Sequence, residues 1–292
     1  MVQDWWLPPR DYVGYGFESP KVLWPGNKVI AVSFVLNYEE GAEHTPWNGD
    51  DQSCDSLHEL HYNRPAIHGG KRDGVVEDMI ACHGNRWRIH GTNLAEAKAH
   101  FHKSFDRLQA TTGLSDVPTG WFGGGLPNHT KLARAEVHRE RGVPLLYCSD
   151  TYAADVPYWV RDPYAAVYGG EDNGMLMIPY SLCTNDHRFF VAQGAGVSKP
   201  DDWFELLRAE FDQLYEEGQA GAPKMMTIAM HNRFVCKPGR IMALKRFMAY
   251  VATKPDAWVC TRREIAAHWR QHYPYEKVGP TDLLHPTLDA SS

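Results

Sequence analysis

A chain of 292 residues carrying a net charge of −6, with its Lys and Arg scattered, offers no basic stripe for nucleic acid or an anionic membrane surface. A hydrophobic fraction of 43%, with 10 Trp, 14 Tyr and 11 Phe, is ample for a large core, and the length suits one barrel of ~250 residues as well as two small domains. No basic-then-apolar leader opens the sequence and no apolar run nears the ~20 residues of a membrane span, so a cytoplasmic protein is expected, its six widely spaced Cys free thiols.

Residues 1–28 are rich in Pro, Gly and aromatics and read as an irregular arm. The run Val29-Ile-Ala-Val-Ser-Phe-Val-Leu36 is apolar almost throughout, which predicts a strand over 29–37 buried on both faces. Residues 42–76 are polar, broken by Gly and Pro and dotted with His at irregular spacing, and read as a long solvated loop. A helix is predicted over 93–112, capped by Thr92 or Asn93 and ended by Gly113. A short strand over 120–122, a helix over 128–141 and a strand over 143–148 follow, then a strand over 175–180 and a helix over 203–218. Last come a strand over 225–230, a helix over 240–253, a strand over 258–260 and a helix over 262–272, with a loose tail at 276–292. The main domain is therefore 29–275. Alternating strands and helices with short links predict parallel α/β architecture. Without a G-x-G-x-x-G turn after the first strand or a Walker lysine, nucleotide cofactors lose support.

Polar clusters recur at the ends of the apolar runs: Asn37-Tyr-Glu-Glu40, His83-Gly-Asn-Arg-Trp87, Ser149-Asp-Thr-Tyr152 and His231-Asn-Arg233. In a barrel every strand end opens on one mouth, so such clusters favour a barrel with its site there. A single Glu at a strand end would be a solvated turn. Two adjacent carboxylates, Glu39 and Glu40, closed by Gly41, are better candidates for acid–base work. Asp150 and Asp186 suit chemistry and helix capping equally. Trp121, Tyr152, Tyr158 and Trp159 could pack in the core, or could wall a pocket for a small polar heterocycle.

The ordered series Arg10-Asp-Tyr-Val-Gly-Tyr-Gly16, Phe34-Val-Leu-Asn-Tyr-Glu-Glu-Gly41, His83-Gly-Asn-Arg-Trp87, Ser149-Asp-Thr-Tyr152, Pro157-Tyr-Trp159, Ile178-Pro-Tyr180 with Thr184-Asn-Asp186, and His231 with Pro238-Gly-Arg240 resembles the cofactor-independent allantoinase branch of the polysaccharide deacetylase-like (NodB homology) superfamily. The resemblance covers nearly all of 10–275. It implies a distorted (β/α) barrel, with fewer strands than the eight-fold one, that hydrolyses C–N bonds of amides. Tyr38-Glu-Glu-Gly41 falls where the metal-dependent relatives have Phe-Asp-Asp-Gly. By that correspondence Glu39 activates water, Glu40 supports it, and His83 and His231 position the substrate or protonate the leaving nitrogen. Asn37, Trp87, Trp121, Asp150, Tyr152, Trp159 and Asp186 are then candidates for substrate contact. Trp87 stands at the second His of the H-x-x-x-H metal motif. His90 lies seven residues beyond His83, about 10 Å along a helix and too far for one ion. No metal is therefore expected.

Two departures from the family pattern bear on activity. Gly125 occupies the slot of an Arg, and about one βα unit of ~30 residues between Glu40 and His83 is missing, so the barrel could be incomplete. The reading is an allantoinase-like amidohydrolase acting on a linear or cyclic amide or ureide, expected as a homo-oligomer. The alternatives are a zinc-dependent deacetylase of N-acetyl sugars and a catalytically silent relative that only binds.

Overall fold

The computed structural model describes residues 21–37, 46, 49–51, 93–123, 129–190 and 199–278. These fall into two compact units, one built on 93–179 with 261–278, the other on 22–37 with 180–260.

In the second unit, strand β1 (Ile30–Asn37) lies between β6 (Lys224–His231) and β7 (Ala257–Val259), all parallel. β1 and β6 are paired along their whole length, from Ile30 opposite Lys224 to Asn37 opposite His231. Side chains alternate between faces along each strand, and partners in register share a face. Ile30, Val32 and Phe34 therefore join Met226, Ile228 and Met230 on one face, where all six belong to a single apolar cluster. Ser33, Asn37, Thr227 and His231 share the opposite face. One face is made of oil and the other carries polar groups at its end.

Two helices cover the apolar face, α5 (Pro200–Gln219) and α7 (Pro238–Ala252). On α5 the buried set Trp203, Phe204, Leu207, Phe211 and Tyr215 recurs at helical spacing, and on α7 the set is Ala243, Leu244, Phe247 and Val251. Phe247 meets Phe211 edge-on at 6.1 Å, and its ring lies 6.1 Å from that of Phe34 of β1. Gly218 is required where α5 passes the start of β1, because a Cβ there would stand 2.2 Å from the Val29 carbonyl oxygen. Two short helices, α4 (Asp186–Phe190) and α6 (Asn232–Val235), flank the end of β6.

The first unit holds a four-stranded sheet in the order β2 (Gly120–Trp121), β3 (Tyr147–Cys148), β5 (Met175–Met177), β4 (Tyr158–Val160). Only the β4–β5 pair is antiparallel. Helices α1 (Leu94–Thr112) and α2 (His129–Arg141) pack through Ala97, Phe101 and Phe105 against Ala133 and Val137. Asn93 caps α1 through Glu96 N and Gly113 ends it in the left-handed region at φ 72°, as the sequence predicts. Helices α3 (Pro163–Tyr168), α8 (Arg262–His272) and α9 (Tyr275–Val278) complete this unit.

The strand expected over 143–148 pairs only at its end. Pro144 has no N–H to give, and the ladder begins when Leu146 N donates to Thr119 O at 2.7 Å. Strand β4 and helix α3 have no counterpart in the sequence reading, because elements of three and six residues are too short to show a period. The helix start was nonetheless marked: Asp162 caps α3 by accepting from Tyr164 N at 2.9 Å, with Pro163 at the first helical position. The described strands form two separate sheets and no closed ring. Among the described residues no helix is long and apolar enough to cross a membrane.

Candidate active site

In the second unit the polar groups gather where β1 and β6 end. His231 closes β6 at 6% exposure. The segment after Tyr180 runs beside β6, tied to it by a parallel bridge between Asn185 and Ala229 and by the Thr184 hydroxyl, which donates to Thr227 O. That path brings Asp186, wholly buried, to the strand end. Its carboxylate accepts twice from one residue: His231 N–H at 2.8 Å and His231 Nδ1 at 2.6 Å. A carboxylate offers only acceptors, so the imidazole carries its proton on Nδ1, and Nε2 is an acceptor in the neutral ring and a donor once protonated. The rings of His187, at 5.7 Å, and Phe234, at 5.8 Å, pack beside the imidazole and hold its plane.

Asn37, half-buried at the end of β1, is the register partner of His231. Neighbouring strands lie ~4.8 Å apart, so the two side chains leave the same face side by side. Asn37 Nδ2 donates to the Tyr180 hydroxyl at 2.6 Å. Asn37, Asp186 and His231 are thus brought together from three separate stretches of chain, and Tyr180, absent from the sequence-based candidates, joins them.

The candidates of the first unit behave differently. Asp150 accepts from Gly123 N at 2.7 Å with one oxygen and pairs with Arg134 through the other. Arg134 is 1% exposed and also donates to Cys148 Sγ at 3.3 Å. Burial opposes the Arg134 charge, but Asp150 and Cys148 outweigh it and hold the guanidinium protonated above its usual range. Burial also pushes the Cys148 thiol up to about 11. Asp150 thereby holds the backbone at Gly123, two residues past the end of β2. No sequence signal marks Arg134, an ordinary cation in an amphipathic helix until the fold buries it.

Trp121 gives its indole N–H to His138 Nε2 at 2.7 Å and packs edge-on against Phe101 at 5.0 Å. Trp159 donates to Tyr273 O at 2.7 Å under the Arg270 guanidinium, 4.9 Å above its ring. Both indoles are used inside the unit. Tyr152 is 47% exposed, with its phenol raised by burial and by the Asp150 charge. Arg262, at the first turn of α8, donates to Ser149 Oγ at 3.0 Å and to Pro179 O at 2.8 Å, and so ties together the ends of β3 and β5. Glu39, Glu40, His83, Trp87 and Gly125 lie outside the described residues. Among the described residues, no three His, Cys, Asp or Glu side chains are grouped to hold a metal ion.

A buried carboxylate–histidine pair thus stands at the C-terminal end of a parallel strand, the end at which α/β barrels collect their functional groups. No family model matches the chain. A Schizosaccharomyces pombe protein, provisionally assigned by its name to the polysaccharide deacetylases, is 31% identical over 87% of this chain and 94% of its own length. That alignment runs over 304 positions, more than the 292 residues present, so the relative carries stretches with no counterpart here. Among solved structures, Puue allantoinase superposes with a TM-score of 0.79 at 33% identity, covering 91% of this chain and 99% of that one. A Pseudomonas aeruginosa PAO1 structure assigned by its title to the polysaccharide deacetylases gives 0.77 at 33% identity over the same shares. The chain belongs to the polysaccharide deacetylase-like (NodB homology) superfamily of C–N hydrolases, in its allantoinase-like branch, and has that family's α/β fold.

Proposed function

We propose that the protein hydrolyses the C–N bond of an amide or ureide, with an allantoin-like ring as the first substrate to test. The observation that carries this reading is the double acceptance of His231 N–H and Nδ1 by the buried Asp186. With Nδ1 bound to Asp186, Nε2 is the nitrogen to which this reading assigns proton transfer. In the reaction Glu39 takes a proton from water as the oxygen adds to the carbonyl carbon, and Glu40 supports it. His231, protonated at Nε2, then delivers a proton to the departing nitrogen as the C–N bond breaks. His83 positions the substrate beside them. The roles of Glu39, Glu40 and His83 rest on their places in the family's motifs. The names of two similar proteins favour a second substrate class, N-acetylated sugars. Hydrolysis assays on allantoin and on chitin oligomers, with wild type beside His231→Asn and Glu39→Gln, test the proposal. Turnover of allantoin lost in both variants supports it; turnover of chitin oligomers alone moves the substrate to the second class. No turnover of either, or full activity in His231→Asn, overturns it.

A further inference from the structure

We infer that His268 and His272, one turn apart on α8, form a two-imidazole chelate for a divalent ion of the copper and nickel class. The site lies in the first unit and uses none of the residues assigned to hydrolysis above.

Residues four apart on a helix are neighbours on one face, and two His at that spacing offer two nitrogens to a single ion. Here the two imidazole centres are 4.4 Å apart and their planes are tilted by 35°. An imidazole nitrogen sits ~2.0 Å from such an ion, which puts its ring centre ~3.2 Å from it. Two rings on one ion are then ~4.5 Å apart at a right angle and ~5.2 Å apart at a tetrahedral one. The observed separation is that of the right angle. Right angles between neighbouring ligands belong to the tetragonal ions Cu²⁺ and Ni²⁺, whereas zinc prefers the tetrahedron. Among these ions Cu²⁺ binds nitrogen ligands most tightly.

The frame that carries the pair is rigid. Ile265, Ala266 and Trp269 bury the opposite side of α8, and the Trp269 ring stacks on Tyr273 at 4.4 Å. Tyr273 in turn stands edge-on to His268 at 6.4 Å. His272 is exposed and His268 half-buried, so an ion reaches the pair from solvent. Both lie in the last turn of the helix, where the dipole presents its negative end and favours a cation. The guanidinium of that turn does not compete for the place. Arg270 donates to Leu145 O at 3.1 Å and to Leu146 O at 2.9 Å and lies over the Trp159 ring. An imidazole ligates through one nitrogen and keeps a hydrogen bond at the other, as metal-bound histidines commonly do, so further contacts of His268 are compatible with the site. Two protein ligands leave the remaining positions of the ion to water, which makes this an exchangeable site and not a structural one.

The experiment titrates Cu²⁺, Ni²⁺ and Zn²⁺ separately into wild type, His268→Gln, His272→Gln and the double variant, followed by calorimetry and, for Cu²⁺, by electron paramagnetic resonance. The chain has 15 His, so the readout is the difference between wild type and the variants. Wild type should take up one more equivalent of Cu²⁺ than the double variant, with the resonance pattern of two nitrogen ligands. Each single variant should weaken that site by about 10²-fold or more, because the second imidazole meets an ion already held at high effective concentration. Cu²⁺ should also raise the melting temperature of wild type above any rise in the double variant. Circular dichroism of the metal-free proteins checks that all four share one fold. Equal uptake by all four proteins overturns the inference. Loss in only one of the single variants would reveal a lone imidazole and overturns the chelate. Tighter binding of Zn²⁺ than of Cu²⁺ at this site overturns the assignment of the ion.

Discussion

Replacing Asp186 by Asn alters the site at its best-defined point. The wild-type carboxylate accepts from His231 N–H at 2.8 Å and from Nδ1 at 2.6 Å, and it is wholly buried. An Asn has one oxygen and one NH₂. If the oxygen keeps the backbone N–H, the NH₂ faces Nδ1, and two donors cannot meet there. The imidazole must then move its proton to Nε2 and accept at Nδ1. Nε2 then carries the proton of the neutral ring and cannot accept one, and the imidazolium loses the negative charge that stabilises it. Each hydrogen bond to a charged group is worth about 1.5–3 kcal/mol, and one survives, so the folding stability should fall by about that amount. The effect on turnover should be larger, about 10²- to 10⁴-fold in kcat with KM little changed, the range for loss of a positioned acid–base group. Steady-state kinetics and urea unfolding measure the two effects, and ¹⁵N shifts of the His231 ring report the tautomer. A variant that keeps the proton on Nδ1, or turns over within about 3-fold of wild type, would refute the reasoning.

Three other outcomes are expected. His138 is held neutral in the fold down to about 4, chiefly by burial, against 6.5 for a free imidazole, with Arg134 nearby acting in the same direction and the Val143 carbonyl opposing. Between those two values the unfolded chain takes up a proton that the folded one refuses, so stability falls as pH falls, by about 2 kcal/mol from 6.5 to 5. Urea midpoints of wild type and His138→Gln should diverge over that window, and parallel curves would contradict the assignment. Gly218→Ala should destabilise by about 1–3 kcal/mol despite the ~1 kcal/mol of helix propensity gained, because the obstructing atom is the Val29 carbonyl and not a flexible side chain; a raised melting temperature would show that the helix slides aside without cost. Hydrolysis should survive strong chelators, since Trp87 stands where the metal motif has its second His. Loss of turnover with EDTA and its return with Zn²⁺ would reverse that expectation.

Much of this protein follows from local patterns. The apolar run at 29–36, the four-residue spacing of Trp203, Leu207, Phe211 and Tyr215, and the Asn93 and Gly113 caps each act within a few residues, so the chain alone specifies the strand and the two helices. The family motifs likewise named His231 and Asp186 as separate candidates. What the sequence could not decide was partnership. Asp186 was equally a helix cap until the bridge from Asn185 to Ala229 carried it, across 45 residues of chain, to the end of β6. Trp121 and Trp159 suited core packing first and pocket walls second, and the fold settled them inside the unit, where His138 and the Tyr273 carbonyl take up their N–H groups. Tyr180 stood in a family motif with no role attached, and only the tertiary fold set its hydroxyl against Asn37, 143 positions away. Hydrophobic period is written in neighbouring residues, because a helix or strand repeats over a few of them. A hydrogen bond between remote side chains depends on strand order and register, which the packing of the whole chain decides.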